Sequence, residues 1–289
     1  MTSIARPRRS ALYLPASNPR AVEKSRALAC DVVILDLEDA VAPDAKPEAR
    51  AAAAAAVHGG GFGSREVVIR ANGLDTPWGA DDLAAISAAR PDAALIPKVS
   101  TVADLAAARA ALGPDIPLWA MIETCAAIFA LDALGAASAG AGVSVWVIGS
   151  NDLAKEMRCT PGVDRAPLMT ALTLSLMAAR AHGIAILDGV FNDIADADGL
   201  GRQCAQGAAW GFDGKTLIHP GQVEAANHAF TPESQAVAWA RTVVAAFAAP
   251  GTGDKGVLKI EGRMVERLHL SEARKLIEVA DAIAARDAA

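Results

Sequence analysis

Apolar residues along the chain gather into short runs rich in β-branched and large aliphatic side chains, and each run gives way to an alanine-rich stretch punctuated near its end by Gly or Pro. Eight such runs occur: SALYLP (10–15), VVILDLE (32–38), EVVIRAN (66–72), AALIPKV (93–99), PLWAMIE (117–123), VSVWVIGS (143–150), IAILDGV (184–190) and GKTLIHP (214–220). The segments between them have helix-forming composition, among them AVEKSRALA, DLAAISAAR, TVADLAAARAAL and PLMTALTLSLMAARAH. Strand and helix therefore alternate. That alternation predicts a parallel sheet covered by helices, and a count of eight predicts closure as a (β/α)8 TIM barrel, with an open doubly wound sheet as the alternative. Beyond the eighth run, the helical stretch TPESQAVAWARTVVAAFAA leads through PGTGDKG to a short hairpin turning at Glu261 and Gly262 and then a final helix. The expected division is a catalytic barrel over residues 1–248 and, over 249–289, a linker, hairpin and C-terminal helix that act as a lid or a subunit contact.

Composition narrows the class. The 289 residues suffice for one large domain, and although 53% are apolar, much of that fraction is alanine. No run approaches the roughly 18 consecutive apolar residues that a membrane span needs. The basic start carries Arg6, Arg8 and Arg9, but the apolar run after it is too short for a signal peptide and leads directly into a strand. A soluble, cytoplasmic protein is expected. Cys30, Cys125, Cys159 and Cys204 are far apart and form no CxxC pair, which argues against structural zinc and a disulfide framework, so they read as small buried hydrophobes. A net charge of −6 with one Tyr and six Phe argues against nucleic-acid binding. Against that acidic background Arg6, Arg8, Arg9, Arg20, Lys24 and Arg26 form a local basic excess, which suits either a phosphorylated ligand or a solvated surface.

Catalytic groups of a TIM barrel project from the C-terminal ends of its strands. Here those ends carry Asp36, Glu38 and Asp39, then Arg70 and Asn72, Lys98, Glu123, Ser150 with Asn151 and Asp152, Asp188, and His219. Converging carboxylates without His or Cys at ligand spacing are what a hard divalent cation requires, and Mg2+ takes one or two carboxylates with waters and substrate oxygens. Asp152 precedes LAKEM and also suits a helix cap. Glu123 closes an apolar run, where an ionised carboxylate needs a cation or several donors. Arg70 lies inside a strand pattern and needs an anion: a structural partner such as Glu38, a substrate carboxylate, or both. HGGGFGS (58–64) precedes a strand, so it reads as a loop at the bottom of the barrel instead of a phosphate loop. His219 suits an acid or base and equally a satisfied structural histidine.

RSALYLPASNPRAVEKSRAL, DVVILDLEDAVAPDAKPEAR, VVIRANGLDTPWGADDL, LIPKVS, MIETCAAI, VIGSNDLAKEM and GKTLIHPGQVEAAN, in this order, closely resemble the citrate lyase β-subunit-like branch of the HpcH/HpaI aldolase family. LDLEDAV followed by an arginine-bearing strand, and LIHPGQV, are the most specific. The resemblance implies a (β/α)8 barrel, a homotrimer or hexamer, and a lyase that cleaves or forms a C–C bond in a 3-hydroxyacyl-CoA such as malyl-, citramalyl- or citryl-CoA, giving an acyl-CoA and an α-keto acid. Mg2+, or Mn2+ in its place, would be held by Glu123 and Asp152. Arg70 would hold the keto-acid end, Glu38 and Asp39 would bind the metal's waters, and Arg9 and Lys24 would lie toward the CoA phosphates. The chain departs from the family in the terminal segment, where GRMVERLH offers Glu266 in place of an Asp. Glu266, one methylene longer, would take that catalytic place as acid or base, although the substitution counts against thioester hydrolysis and Glu266 also suits a carboxylate at a helix N-terminus. Two other readings stand beside the lyase: a CoA-independent aldolase joining pyruvate to an aldehyde, and a citrate lyase β-type subunit active only within a complex.

Overall fold

The computed structural model describes residues 6–252 and 255–288. The expected N-terminal stretch before Arg6, Gly253 and Asp254 of the expected linker, and Ala289 lie outside the described residues. Eight strands, β1 (Ser10–Pro15), β2 (Val32–Asp36), β3 (Glu66–Arg70), β4 (Ala93–Ile96), β5 (Leu118–Ile122), β6 (Val143–Ile148), β7 (Ala185–Asp188) and β8 (Gly214–Leu217), form a closed barrel in sequence order. All neighbours run parallel, and β1 pairs with β8 to close the ring. The fold is the expected (β/α)8 TIM barrel. Each predicted run contains a strand; β1 fills its run, but the other seven stop short of the predicted ends, because the residues there leave the ladder to enter loops.

Helices cover the barrel: α1 (Pro19–Ser25), α2 (Lys46–Gly59), α3 (Gly79–Ala89), α4 (Val102–Leu112), α5 (Cys125–Phe129), α6 (Leu131–Ala141), α7 (Ser150–Met157), α8 (Met169–Ala181), α9 (Ala197–Trp210) and α10 (Val223–Phe230). Side chains set several of their starts. Asn18 accepts from the Ala21 N–H at 3.1 Å just before Pro19, and Thr101 with Asp104 forms a reciprocal capping box.

Strand residues alternate between two cores, as the two-residue period of a strand requires. Val33, Leu35, Ile69, Ala94, Ile96 and Ile122 face the helices, whereas Val32, Ile34, Val68, Leu95, Trp119, Met121, Val147 and Leu187 fill the barrel interior. Burying each large aliphatic side chain contributes about 1.5–3 kcal/mol.

The compact barrel unit spans Arg8–Phe230. A second unit comprises the described residues from Thr231 onward together with Arg6 and Pro7, and holds α11 (Ser234–Ala248), β9 (Val257–Ile260), β10 (Arg263–Glu266) and α12 (Arg267–Asp287). The boundary therefore falls after Phe230, not after 248 as expected. The reason is a separate core: Ala240, Val243 and Phe247 of α11 pack with Ile260, Val265, Leu270 and Ala273. The hairpin does turn at Glu261 and Gly262, both at positive φ (47° and 82°), as a two-residue turn favours.

The bottom of the barrel corrects the reading of the N-terminal arginines. Arg9, which was assigned to CoA, precedes β1 and is buried, with its side chain donating to both oxygens of Asp31 at 3.0 Å. Arg8 is paired in the same bidentate way with Glu66 at 2.6 and 2.9 Å, under Trp119. Both lie at the N-terminal ends of the strands, opposite to where a TIM barrel places its chemistry. Their charge serves the fold. Arg26 packs over Phe62 of the loop before β3, while Arg20 and Lys24 on α1 are exposed.

The buried Arg9–Asp31 pair and the exposed Arg90–Asp115 pair, 2.5 Å apart, should differ sharply in weight. Asp31→Ala is expected to lower the unfolding free energy by about 3–5 kcal/mol, against less than about 1 kcal/mol for Asp115→Ala. Denaturant titration of the two variants measures this, and equal losses would contradict the structural role given to Arg9.

Candidate active site

The same two-residue period that fills the barrel interior carries polar residues inward at its C-terminal mouth. Following Val32 and Ile34 inward comes Asp36; following Val68 comes Arg70; following Trp119 and Met121 comes Glu123, while Ala11 leads to Tyr13. Strand register then sets Asp36 directly beside Arg70. A cavity of about 290 Å³ opens here, lined among others by Tyr13, Asp36, Asp39, Arg70, Glu123 and Asp152. The mouth thus brings together both residues expected to hold metal and the arginine expected to hold substrate.

Arg70 is fixed before any ligand arrives. Its Nε and Nη2 donate to the two oxygens of Asp36 at 2.6 and 2.7 Å, and its guanidinium stacks 4.8 Å from the centre of the Tyr13 ring. The remaining nitrogen, Nη1, lies 2.8 Å from Glu38 Oε2 as an ion pair without hydrogen-bond alignment, and donates to Asp39 at 3.5 Å. Burial alone would raise the Asp36 carboxyl, but the adjacent guanidinium and the amides of Glu38 and Ala40 hold it below the usual carboxylate range. Asp36 is therefore an anchor for Arg70. Burial and the hydroxyl's position among carboxylates push the Tyr13 phenol upward, so Tyr13 stays a neutral donor.

Glu123 has the opposite environment. It is 1% exposed, and its Oε1 accepts the Lys98 N–H at 2.7 Å. Burial, followed by the like charges of Glu38 and Asp152, pushes its carboxyl up to about 8, against the weaker effects of Lys98 and Arg70. A site arranged this way is short of positive charge. Gly149 completes it, since a Cβ there would overlap the Glu123 carboxylate. Asp152, in the first turn of α7, makes no helix-capping bond, because the cap position is Gly149. Its side chain is 31% exposed and faces the same cavity.

These donors fit a hard divalent cation. Among the described residues no group of three His, Cys, Asp or Glu side chains gathers to hold a metal by itself. Two carboxylates in one cavity, one of them buried and repelled by its neighbours, match an ion that takes one or two protein carboxylates and completes its shell with water and substrate. Glu123 and Asp152 are the residues that could hold it.

Other expected positions separate. Glu38 does not line the cavity: its Oε1 accepts from Lys98 Nζ at 2.6 Å and its other oxygen faces Arg70. Burial raises its carboxyl, offset in part by those two cations. Asp39 lines the mouth with its side chain 66% exposed. His219 Nδ1 accepts from the Gly221 N–H at 3.1 Å, a structural role. HGGGFGS ends α2 and leads into β3, at the bottom as expected. Cys30 and Cys204 are buried, whereas Cys125 and Cys159 are only half-buried, and all four are free thiols. Glu266 caps the first turn of α12, with its side chain bonded to the backbone N–H of His269 and its own N–H donating to His269 Nδ1 at 2.9 Å. That local bonding accounts for the carboxylate.

Sequence reasoning missed three features. Tyr13 reads only as a strand residue, and nothing marks its stacking on Arg70. Lys98 was noted as a cation without a role. Asp188 was placed among the strand ends, yet it is fully buried between Arg165 at 2.6 Å and Lys215 at 3.0 Å, with Lys215 also donating to Gln203 at 2.7 Å and to the Gly189 carbonyl. This cluster braces the loop after β7, and Lys215, the most buried lysine of the barrel, has its ammonium pushed downward by burial.

Residues 9–220 match the HpcH/HpaI aldolase/citrate lyase family. The chain is 47% identical over 287 residues to a (3S)-malyl-CoA thioesterase of Cereibacter sphaeroides, covering 99% of each protein. It is 36% identical over 310 aligned positions to an L-malyl-CoA/beta-methylmalyl-CoA lyase of the same species, covering 97% of each. Among solved structures it resembles CitE from Mycobacterium tuberculosis in complex with magnesium, acetoacetate and coenzyme A, with a TM-score of 0.77, 30% identity, and coverage of 96% of this chain and 99% of that one. Among the described residues no helix is long and apolar enough to cross a membrane. With its barrel, its mouth of carboxylates around one arginine, and these matches along nearly its whole length, the chain belongs to the HpcH/HpaI aldolase/citrate lyase family.

Proposed function

We propose that the protein is a Mg2+-dependent enzyme acting on a short 3-hydroxyacyl-CoA of the malyl type, with hydrolysis of the thioester as its reaction and C–C cleavage to an α-keto acid and an acyl-CoA as the second reading. The observation that carries the proposal is the pairing, in one cavity of about 290 Å³, of Glu123 and Asp152 with an arginine already immobilised by Asp36. A cavity at the lower end of the range for ligand pockets takes the acyl end of such a thioester and leaves the nucleotide outside. The 47% identity to a protein named as a (3S)-malyl-CoA thioesterase supports hydrolysis and weighs against the doubt that Glu266 raised. The 36% identity to a malyl-CoA lyase supports cleavage. Both names favour a CoA ester over a CoA-independent aldol substrate.

When bound, Mg2+ would supply charge stabilisation for the carboxylate and hydroxyl oxygens of the acyl group. The protein's own residues do the rest. Glu123 and Asp152 would hold the cation. Arg70, held by Asp36, lines the cavity, and its positive charge would stabilise the thioester oxygen as that oxygen gains negative charge. Donors fixed in advance need no reorganisation during the reaction, which is why such groups often contribute several kcal/mol. Tyr13 shields the guanidinium from water on its ring face, and Asp39 at the rim accepts from the waters of the site. Lys24 and Arg20, exposed on the helix that leaves β1 at the mouth, are the cations proposed for the CoA phosphates in place of Arg9. A homotrimeric or hexameric assembly is proposed on the resemblance alone.

Incubating the protein with (3S)-malyl-CoA and Mg2+ separates the readings. Free thiol with no glyoxylate establishes hydrolysis, glyoxylate with no free thiol establishes cleavage, and neither product would refute the substrate assignment.

Metal binding should also report on Glu123. The cation binds the ionised carboxylate, so as pH falls below about 8 each unit should weaken Mg2+ binding by about tenfold, with little change above. Calorimetry should show about one proton released per Mg2+ at pH 7. Glu123→Gln should abolish binding and turnover, and Gly149→Ala, by displacing the carboxylate, should weaken binding by about 10- to 100-fold. A Glu123→Gln variant that binds Mg2+ normally would overturn the metal site.

A further inference from the structure

Lys98 has a backbone conformation that its side chain does not favour. It follows β4 at φ 54°, in the left-handed region where glycine is the easy occupant. Two contacts depend on that turn. The Lys98 N–H points at Glu123 Oε1, 2.7 Å away, and the ammonium returns over the mouth to Glu38 Oε1 at 2.6 Å, with Asp152 Oδ2 at 3.9 Å. One residue thus touches, through main chain and side chain, carboxylates that arise from three separate places: the end of β2, the end of β5 and the first turn of α7.

The effect on Glu38 is specific. Its carboxylate is drawn to the Arg70 and Lys98 side and does not line the cavity, although it is one of the like charges that Glu123 feels. Without the ammonium, Glu38 would keep only Arg70, which already serves Asp36 and Asp39. Its negative charge, together with that of Asp152, would then act on the cavity without the Lys98 ammonium to screen it.

We infer that Lys98 is a positioning residue that limits the affinity of the site for a divalent cation, by holding Glu38 against Arg70 and screening Asp152, so that two carboxylates and not three act on the ion. This rests on the proposed Mg2+ site. The cost of a tighter site would be a Glu38 free to approach the ion, an Arg70 less firmly placed, and slower turnover. A residue that only supported the fold would have the opposite signature, since its loss would weaken metal binding and activity together.

The test is calorimetric titration of substrate-free protein with Mg2+, on wild type, Lys98→Met and Lys98→Gly, the last accepting the left-handed backbone and keeping the N–H to Glu123. Removing one positive charge about 4 Å from a metal ligand should tighten Mg2+ binding by about five- to tenfold in both variants while kcat falls by about tenfold or more. In a Glu38→Gln background the same Lys98→Met change should tighten binding by clearly less, because part of its effect runs through Glu38. Unchanged or weaker binding in both folded variants, with wild type binding Mg2+, would overturn the role of Lys98 alone. Absence of Mg2+ binding by all three proteins would overturn the proposed metal site and this inference with it.

Discussion

Everything at the mouth of the barrel depends on the burial of one guanidinium. Arg70 sits on a strand among apolar neighbours, and removing its charge from water would cost several kcal/mol without close anionic partners. The β2–β3 register places Asp36 directly opposite, and the bidentate bond to Arg70, with the Glu38 and Ala40 amides, occupies both oxygens of that carboxylate. The crowd of acids after β2 then sorts by function. Asp36 anchors Arg70, Glu38 joins it to Lys98, and only Asp39 is left facing the solvent side of the cavity.

That arrangement divides the carboxylates of the site into two populations. Near Arg70 the guanidinium and two backbone amides hold Asp36 ionised, while across the cavity Glu123 has a single amide donor and like charges around it. Environments that drive titratable groups in opposite directions are the usual mark of a site with divided roles. On the proposed function, the division would give an arginine wall for developing negative charge and a cation wall for the acid end of the substrate. Lys98 stands between the two and bonds to both, so its displacement would change both walls at once.

Much of this was legible in the sequence because it follows from periodicity. Continuous β-rich runs separated by alanine-rich stretches identified all eight strands, and the rule that barrel chemistry sits at the C-terminal strand ends picked out Asp36, Arg70 and Glu123. What sequence could not supply was the pairing of residues distant in the chain. Arg9 looked like part of a basic patch because nothing local shows that Asp31 closes over it at the barrel's opposite end. Asp188, Arg165 and Lys215 meet only through the neighbouring ends of β7 and β8 and the loop before α8, and the turn at Lys98 has no glycine to announce it. The boundary after Phe230 was missed because the apolar face of α11 suits a barrel as well as it suits the separate core it joins.

Hydrolysis and C–C cleavage of one thioester place little different demand on such a frame. In both, negative charge builds on the thioester oxygen: as a tetrahedral oxyanion when water attacks, and as an enolate oxygen when the carbon–carbon bond breaks. An arginine fixed by a buried aspartate stabilises either. The two reactions part over the proton and the water, since hydrolysis needs an oriented water at the carbonyl and cleavage needs a base at the hydroxyl with water kept out. On the proposed function, control of that choice would fall to the exposed rim around Asp39 and not to the buried pair beneath it, because the rim is where solvent meets an exposed carboxylate. On the proposed reading, relatives that differ in reaction can share Arg70, Glu123 and Asp152 and diverge only at that rim.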